Sequence, residues 1–179
     1  MHSSVLAYLA RILTPSDVLG KEVLEVGSLN VNGSPRSVLA ALSPARYVGV
    51  DARGGPGVDM ILDAGDLPET FGEDAFDLVL STEMLEHCAD WRLAVLAMKK
   101  VLRIGGLLVL TTRGPGFPRH DHPGDYWRFT EDNCARIFSD MDVRGIEADT
   151  ECSGVFVAAT KVRETGMADL LGVEPAGVP

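Results

Sequence analysis

Apolar residues fall in short unbroken runs, and between these runs they recur every three or four positions, so strand-like and helix-like stretches alternate along most of the chain. Val5, Leu6, Leu9, Ile12 and Leu13 form the stripe of a first helix, with Ser3 or Ser4 as its cap and Thr14-Pro15 as its stop. Strands are predicted at about 22–26, 47–50, 58–62, 76–80 and 107–111. Ser34-Pro35 opens a helix with Val38, Leu39 and Leu42 facing inward, and 67–71 is a short helical turn. The longest helix is expected over 91–102, carrying Leu93, Leu96, Ala97, Lys100 and Val101 and stopped by Gly105-Gly106. Thr130 caps a further helix through Phe138. Two last strands, about 143–148 and 154–162, have no helix between them and are expected to pair antiparallel.

This alternation specifies an α/β, Rossmann-like fold: a doubly wound, seven-stranded sheet, mostly parallel, with an antiparallel last strand. With 179 residues the chain fits one domain. That domain is expected over 1–163, with 1–20 as a helix over the ligand site. Residues 164–179 show little periodicity and are expected to be a flexible tail.

Composition narrows the partners. The net charge of -10 disfavours general binding to nucleic acid or to anionic membrane. Cys88, Cys134 and Cys152 lie far apart with no CxxC pair, which suggests neither a disulfide framework nor a zinc knuckle and leads to the expectation of a cytoplasmic protein. The opening apolar stretch is too short for a membrane span and lacks a signal-type cleavage site.

Two runs carry the ligand chemistry: Val23-Leu24-Glu25-Val26-Gly27 and Tyr47-Val48-Gly49-Val50-Asp51. A strand ending in glycine, then one ending in aspartate, presents a ribose-bearing cofactor at the carboxyl edge of an open sheet. A dinucleotide site needs further glycines where Leu29 and Asn32 stand. A pyrophosphate cradle is therefore missing, and no Tyr-x-x-x-Lys pair supports a short dehydrogenase. The pattern points instead to an adenosine cofactor without phosphates, S-adenosylmethionine, with Asp51 accepting from the ribose hydroxyls.

In their order these motifs resemble those of class I S-adenosylmethionine-dependent methyltransferases of the small type 11 kind, over about 21–161. The set comprises Val-Leu-Glu-Val-Gly27, Gly-Val-Asp51, Leu62-Asp63-Ala64 with Leu67-Pro68, Phe76-Asp77-Leu78-Val79-Leu80 running into Ser81-Thr82-Glu83-Met84-Leu85-Glu86-His87, and Val101 to Leu108. The resemblance implies that Glu25, Gly27 and Ser28 lie at the methionine portion, Asp51 and Ala52 at the ribose, Asp63 and Ala64 at the adenine, and Ser81, Thr82 and Glu83 along the cofactor's edge. Ser28-Leu29-Asn30 departs from the family's usual Gly-x-Gly.

The acceptor side is expected after strands four and five, where three of the four histidines occur: His87, His120 and His122. Histidine suits removal of a proton from a hydroxyl or ammonium. The segment from Arg119 to Thr130 resembles a loop that covers the acceptor pocket in some small methyltransferases, with Tyr126, Trp127 and Phe129 as walls and Arg128 holding an anion or pairing with Asp125. The expected reaction is methyl transfer to an oxygen, or a nitrogen, of a small polar metabolite, giving S-adenosylhomocysteine, by a monomer or homodimer without nucleic acid or membrane partners. Two alternatives stand beside it. If 83–87 is helical, Glu83, Glu86 and His87 share a face and, with His120, could hold a divalent metal, an arrangement similar to metal-dependent methyltransferases of vicinal hydroxyls or an RNA terminus; the primary expectation is no metal. The other is a S-adenosylmethionine-binding module without turnover.

Overall fold

The computed structural model describes residues 2–121 and 124–178. His122 lies outside the described residues, so its predicted role has no structural counterpart here.

The strands are β1 (Glu22–Val26), β2 (Arg46–Asp51), β3 (Met60–Ile61), β4 (Phe76–Thr82), β5 (Leu102–Arg113), β6 (Trp127–Arg128), β7 (Asp142–Asp149), β8 (Gly154–Thr160) and β9 (Ala176–Gly177). Among the described residues, seven of them form one sheet in the order β3-β2-β1-β4-β5-β8-β7. Strands β1 to β5 pair in parallel, and β8 runs antiparallel to both β5 and β7. The short connection between β7 and β8 dictates their antiparallel sense, and the helix Trp91–Val101 supplies the crossover between the parallel β4 and β5. The order reverses between β1 and β4, which opens a crevice at the carboxyl ends of these strands.

The unbroken apolar runs are buried on both faces. Val23, Leu78, Leu80 and Val109 point into one core, with Val5, Leu9 and Phe156. Leu24, Val26, Val79 and Leu108 point into the other, against Trp91, Val95 and Met98 of the helix Trp91–Val101. Asp90 caps that helix by accepting from the Leu93 amide at 3.1 Å, and the capping box of Thr130 with Asn133 opens Glu131–Ile137 as the sequence predicts.

Several local expectations are corrected. The third strand is only Met60–Ile61, both exposed, because this sheet edge pairs on one side with Val50 and Asp51 alone. Helix Arg36–Ala40 buries Leu39 but leaves Val38 exposed. Ser4 does not cap the first helix, Ser3–Ile12; its hydroxyl donates to Asp149 over 2.9 Å. Val5 and Leu9 of that helix are buried on the sheet, and Tyr8 stacks on Phe156 of β8 at 4.7 Å, while His2 at its start borders the ligand cavity.

The tail is not frayed. Leu170 and Val173 join the larger core, β9 pairs with β6, and the Thr165 hydroxyl donates to Asp140. Asp140 in turn holds the wholly buried Lys99 ammonium at 2.6 Å. Two apolar residues separated by loop give no periodicity, so these anchors are invisible to pattern reading. No helix among the described residues is long and apolar enough to cross a membrane.

Candidate active site

A cavity of about 510 Å³ opens at the carboxyl edge of β1, β2 and β4. Its walls include the predicted cofactor residues Glu25, Gly27, Ser28, Asp51, Ala52, Asp63, Ala64, Thr82 and Glu83, and the predicted acceptor residues His87, His120 and Tyr126. Ser81 is the exception. It is fully buried in β4 opposite Leu110 and does not reach the cavity, because strand alternation turns its side chain into the sheet's packing.

Gly27 ends β1 in the left-handed region, φ +83°, and a Cβ there would stand 2.5 Å from Met84 Cγ. Only glycine provides both the turn and the bare backbone. The departure at Ser28-Leu29-Asn30 is absorbed without further glycines in that stretch. Leu29 donates its amide to Asp51 Oδ2 at 3.2 Å, and the Asn30 amide donates to the Pro56 carbonyl at 2.8 Å. Asp51 Oδ1 accepts the Arg53 amide at 2.9 Å, so the carboxylate is fixed at the cavity wall by loop backbone on both sides. Asp63 accepts the Gly65 amide at 2.9 Å and begins the turn that carries Ala64.

Glu25 is almost wholly buried. Burial raises its carboxyl to about 7, against the lowering effect of the Tyr47 hydrogen bond and the Arg36 charge. Glu83 leaves β4 with φ +57°, and its carboxylate ion-pairs with Arg113 and accepts from Thr111 Oγ1 at 3.0 Å. The stretch 83–87 is therefore not one helical face. Only Leu85–His87 form a turn, of the tighter three-residue kind, and Glu83 is directed to β5 while Glu86 and His87 face the histidine loop.

At the acceptor end, Glu86 is completely buried, which raises its pKa. Its Oε2 accepts from Thr112 Oγ1 at 2.9 Å. His87 Nδ1 is hydrogen-bonded to the Gly124 carbonyl, and His120 Nδ1 to Asp125 Oδ2 at 3.0 Å. Burial lowers the His120 pKa, opposed by the Asp125 charge. Of the two roles expected for Arg128, pairing with Asp125 is the one observed, and of the three expected walls Tyr126 is the one that reaches the cavity. Arg128 grips Asp125 through both nitrogens, at 2.5 and 2.7 Å, and donates to the carbonyls of Phe117 and Pro118, so it is a strut of the loop. Phe129 packs edge-on against Trp91 in the core, and Trp127 donates to the Cys88 carbonyl at 2.9 Å. Neither ring lines the cavity; Tyr126 does.

Sequence reading missed Met84, Leu93 and Arg113 as cavity walls. Leu93 carried a signal: it is an apolar residue that the helix leaves exposed, and it lies over the cavity.

The sequence model of the methyltransferase domain family matches residues 24–110, which run from β1 into β5. Residues 24–110 carry a methyltransferase domain. Among solved structures, the 1,6-didemethyltoxoflavin N1-methyltransferase of Burkholderia thailandensis, crystallised with 1,6-didemethyltoxoflavin and S-adenosylhomocysteine, superposes with a TM-score of 0.69 at 16% identity over 90% of this chain and 79% of that one. A S-adenosylmethionine-dependent methyltransferase of Mesorhizobium loti superposes at 0.64, with 17% identity over 89% of this chain and 98% of its own. The [4+2]-cyclase SpnF also shares the fold, with a TM-score of 0.67 at 15% identity over 88% and 80%. At these identities the likeness is one of fold. No curated protein matches the chain. The methyltransferase fold accounts for the sheet order and for the position of the cavity at the strand reversal.

Proposed function

We propose that this methyltransferase uses S-adenosylmethionine to methylate an oxygen, or a nitrogen, of a small polar molecule. The observation that carries the reading is the single cavity wall that joins Glu25, Gly27, Asp51 and Asp63 at one end to His87, His120 and Tyr126 at the other.

The wall suits this cofactor. Its volume lies within the range of small-ligand sites, and its charged groups, Glu25, Asp51, Asp63, Glu83 and Asp90 against Arg53 and Arg113, give it an acidic balance. That balance favours a ligand bearing a sulfonium and an ammonium, and opposes a polyanion such as RNA. When bound, S-adenosylmethionine supplies an electrophilic methyl group and leaves as S-adenosylhomocysteine.

The protein's own work is alignment and proton removal. Asp51 accepts from the ribose hydroxyls, Asp63 and Ala64 border the adenine, and Glu25 with the bare Gly27 backbone faces the methionine portion. Ser28, Ala52, Thr82 and Glu83 complete that wall. The acceptor stands at the other end, where Tyr126 borders it and the cluster of His87 and His120 takes up the charge of the departing proton. Cys88, Cys134 and Cys152 are all free thiols, which suits a reducing, cytoplasmic setting.

Calorimetric titration with S-adenosylhomocysteine tests the cofactor half: binding of one equivalent is expected, and absence of binding overturns the reading. His87→Ala and His120→Ala test the acceptor half. Each should keep the affinity for S-adenosylhomocysteine and slow methylation across a panel of hydroxyl and amine acceptors; unchanged rates in both variants remove these residues from the role.

A further inference from the structure

We propose that the Cys152 thiol, paired with the His2 imidazole, is the reactive nucleophile of this chain and a site of reversible oxidation by hydrogen peroxide. Cys152 lies in the turn between β7 and β8, and its Sγ is 3.1 Å from His2 Nδ1. The residue is half-buried, so small molecules can reach it.

The thiol can donate to Nδ1, and transfer of that proton leaves a thiolate beside an imidazolium. Burial and the Arg113 charge lower the His2 pKa, against the Asp149 charge, so the ring is neutral at neutral pH and able to take the proton. The Phe117 ring meets His2 edge-on, with centroids 5.9 Å apart, and orients it. Arg113 supplies the positive charge that favours a thiolate: its guanidinium is buried, and Nη1 donates to the Cys152 carbonyl at 2.9 Å. The opposing charge is Asp149, 3.6 Å from the same nitrogen. That carboxylate is already engaged by the Ser4 hydroxyl and by the Glu151 and Cys152 amides.

The other two cysteines are the contrast. Burial pushes the Cys88 and Cys134 thiols up to about 12. At neutral pH a thiol held there presents roughly one thiolate in 100,000. Cys134 is packed in the larger core, and Cys88 donates to the Met84 carbonyl at 3.7 Å rather than to a base. Reactive thiols sit partly exposed beside cations, whereas thiols in apolar surroundings are inert.

The oxidation balances within the pair. The thiolate sulfur attacks one peroxide oxygen, the O–O bond breaks, and the departing hydroxide takes the proton from His2 and leaves as water. Sulfur is oxidised to the sulfenic acid and peroxide is reduced. A low-molecular-weight thiol then displaces water to form a mixed disulfide, and a second such thiol frees Cys152. His2 and Arg113 both border the ligand cavity, so the modification falls directly behind two of its wall residues. The reactivity of the pair does not depend on the methyltransferase reading.

The test is labelling of the folded full chain with iodoacetamide at pH 7, in which a thiolate displaces iodide, with the rate at each cysteine read by mass spectrometry. Cys152 should react at least about tenfold faster than Cys88 or Cys134. His2→Ala and His2→Gln should each slow Cys152 by about fivefold or more, because the base is gone. Removal of a ring that merely covered the thiol would raise the rate, so the sign separates the two roles. A variant in which Cys134 becomes labelled is unfolded, and the decision then falls to the unmodified sequence. There, limiting hydrogen peroxide followed by dimedone, which traps sulfenic acid, should place one adduct on Cys152. Equal labelling of the three cysteines, a Cys152 rate in folded His2→Ala that matches or exceeds the original, or absence of the dimedone adduct from Cys152 overturns the inference.

Discussion

The Tyr47 hydroxyl of β2 donates to Glu25 Oε2 of β1 over 2.7 Å, beneath an Arg36 guanidinium that sits 4.8 Å over the Tyr47 ring. This bond joins the two strand ends that carry the cofactor motifs. It does not offset the burial of Glu25, whose carboxyl stays at about 7.

The sign of the pH effect follows. The folded state holds the Glu25 proton more tightly than the unfolded chain, whose value is near 4.5. Stability from this group is full below pH 4.5 and is lost as the pH rises toward 7, on the order of 3 kcal/mol in all. Glu25→Gln should therefore gain on the wild type between pH 5 and pH 8 in paired urea denaturations. A constant difference between the two proteins across that range would refute the assignment.

Gly27 is expected to tolerate no side chain. Gly27→Ala adds left-handed strain of about 1–2 kcal/mol and a collision with Met84 at 2.5 Å. S-adenosylhomocysteine affinity should fall together with melting temperature, and Met84→Gly in the same chain, which removes both the Cγ at 2.5 Å and the Cβ at 2.6 Å, should recover part of the stability. If the double variant is no better than the single one, the collision is not what matters.

Asp51→Ala should weaken S-adenosylhomocysteine by roughly 1.5–3 kcal/mol, the value of hydrogen bonds to a charged group. Because Asp51 also accepts the Leu29 and Arg53 amides, Asp51→Asn separates the two contributions. It keeps an acceptor and should lose less. Calorimetry at constant salt reads both, and unchanged affinity in the alanine variant would move the ribose elsewhere.

Asp140→Ala leaves the buried Lys99 with the Ile137 carbonyl as its remaining hydrogen-bond partner among the described residues, and should cost about 3–5 kcal/mol. It also releases Thr165. Truncation after residue 163 should lower the melting temperature as well, since it strips Leu170 and Val173 from the core. A truncated chain as stable as the whole would show that the tail contributes nothing.

The parts of the fold that were legible are those with a period. Strand β1 and the Trp91–Val101 helix end within a residue of where the apolar pattern places them, and Thr130 caps the helix that it is expected to open. Short-range chemistry was legible too: Gly27 and Asp51 stand at the strand ends and border the cavity. What failed were readings that assumed regular geometry where the chain turns. Glu83 was grouped with Glu86 and His87 on a helix, but its left-handed backbone sends it to Arg113, thirty positions along the chain.

By itself the sequence determined the strand-helix alternation, the sheet class and the identity of the groups at the strand ends, because these depend on local periodicity and on backbone freedom at single residues. Tertiary structure alone decided which groups meet. It anchored the tail through Thr165 and Val173, paired Lys99 with Asp140, and brought the loop histidine His120 to the buried Glu86. Such contacts join residues far apart in the chain, and their energy comes from burial and pairing that no local pattern encodes.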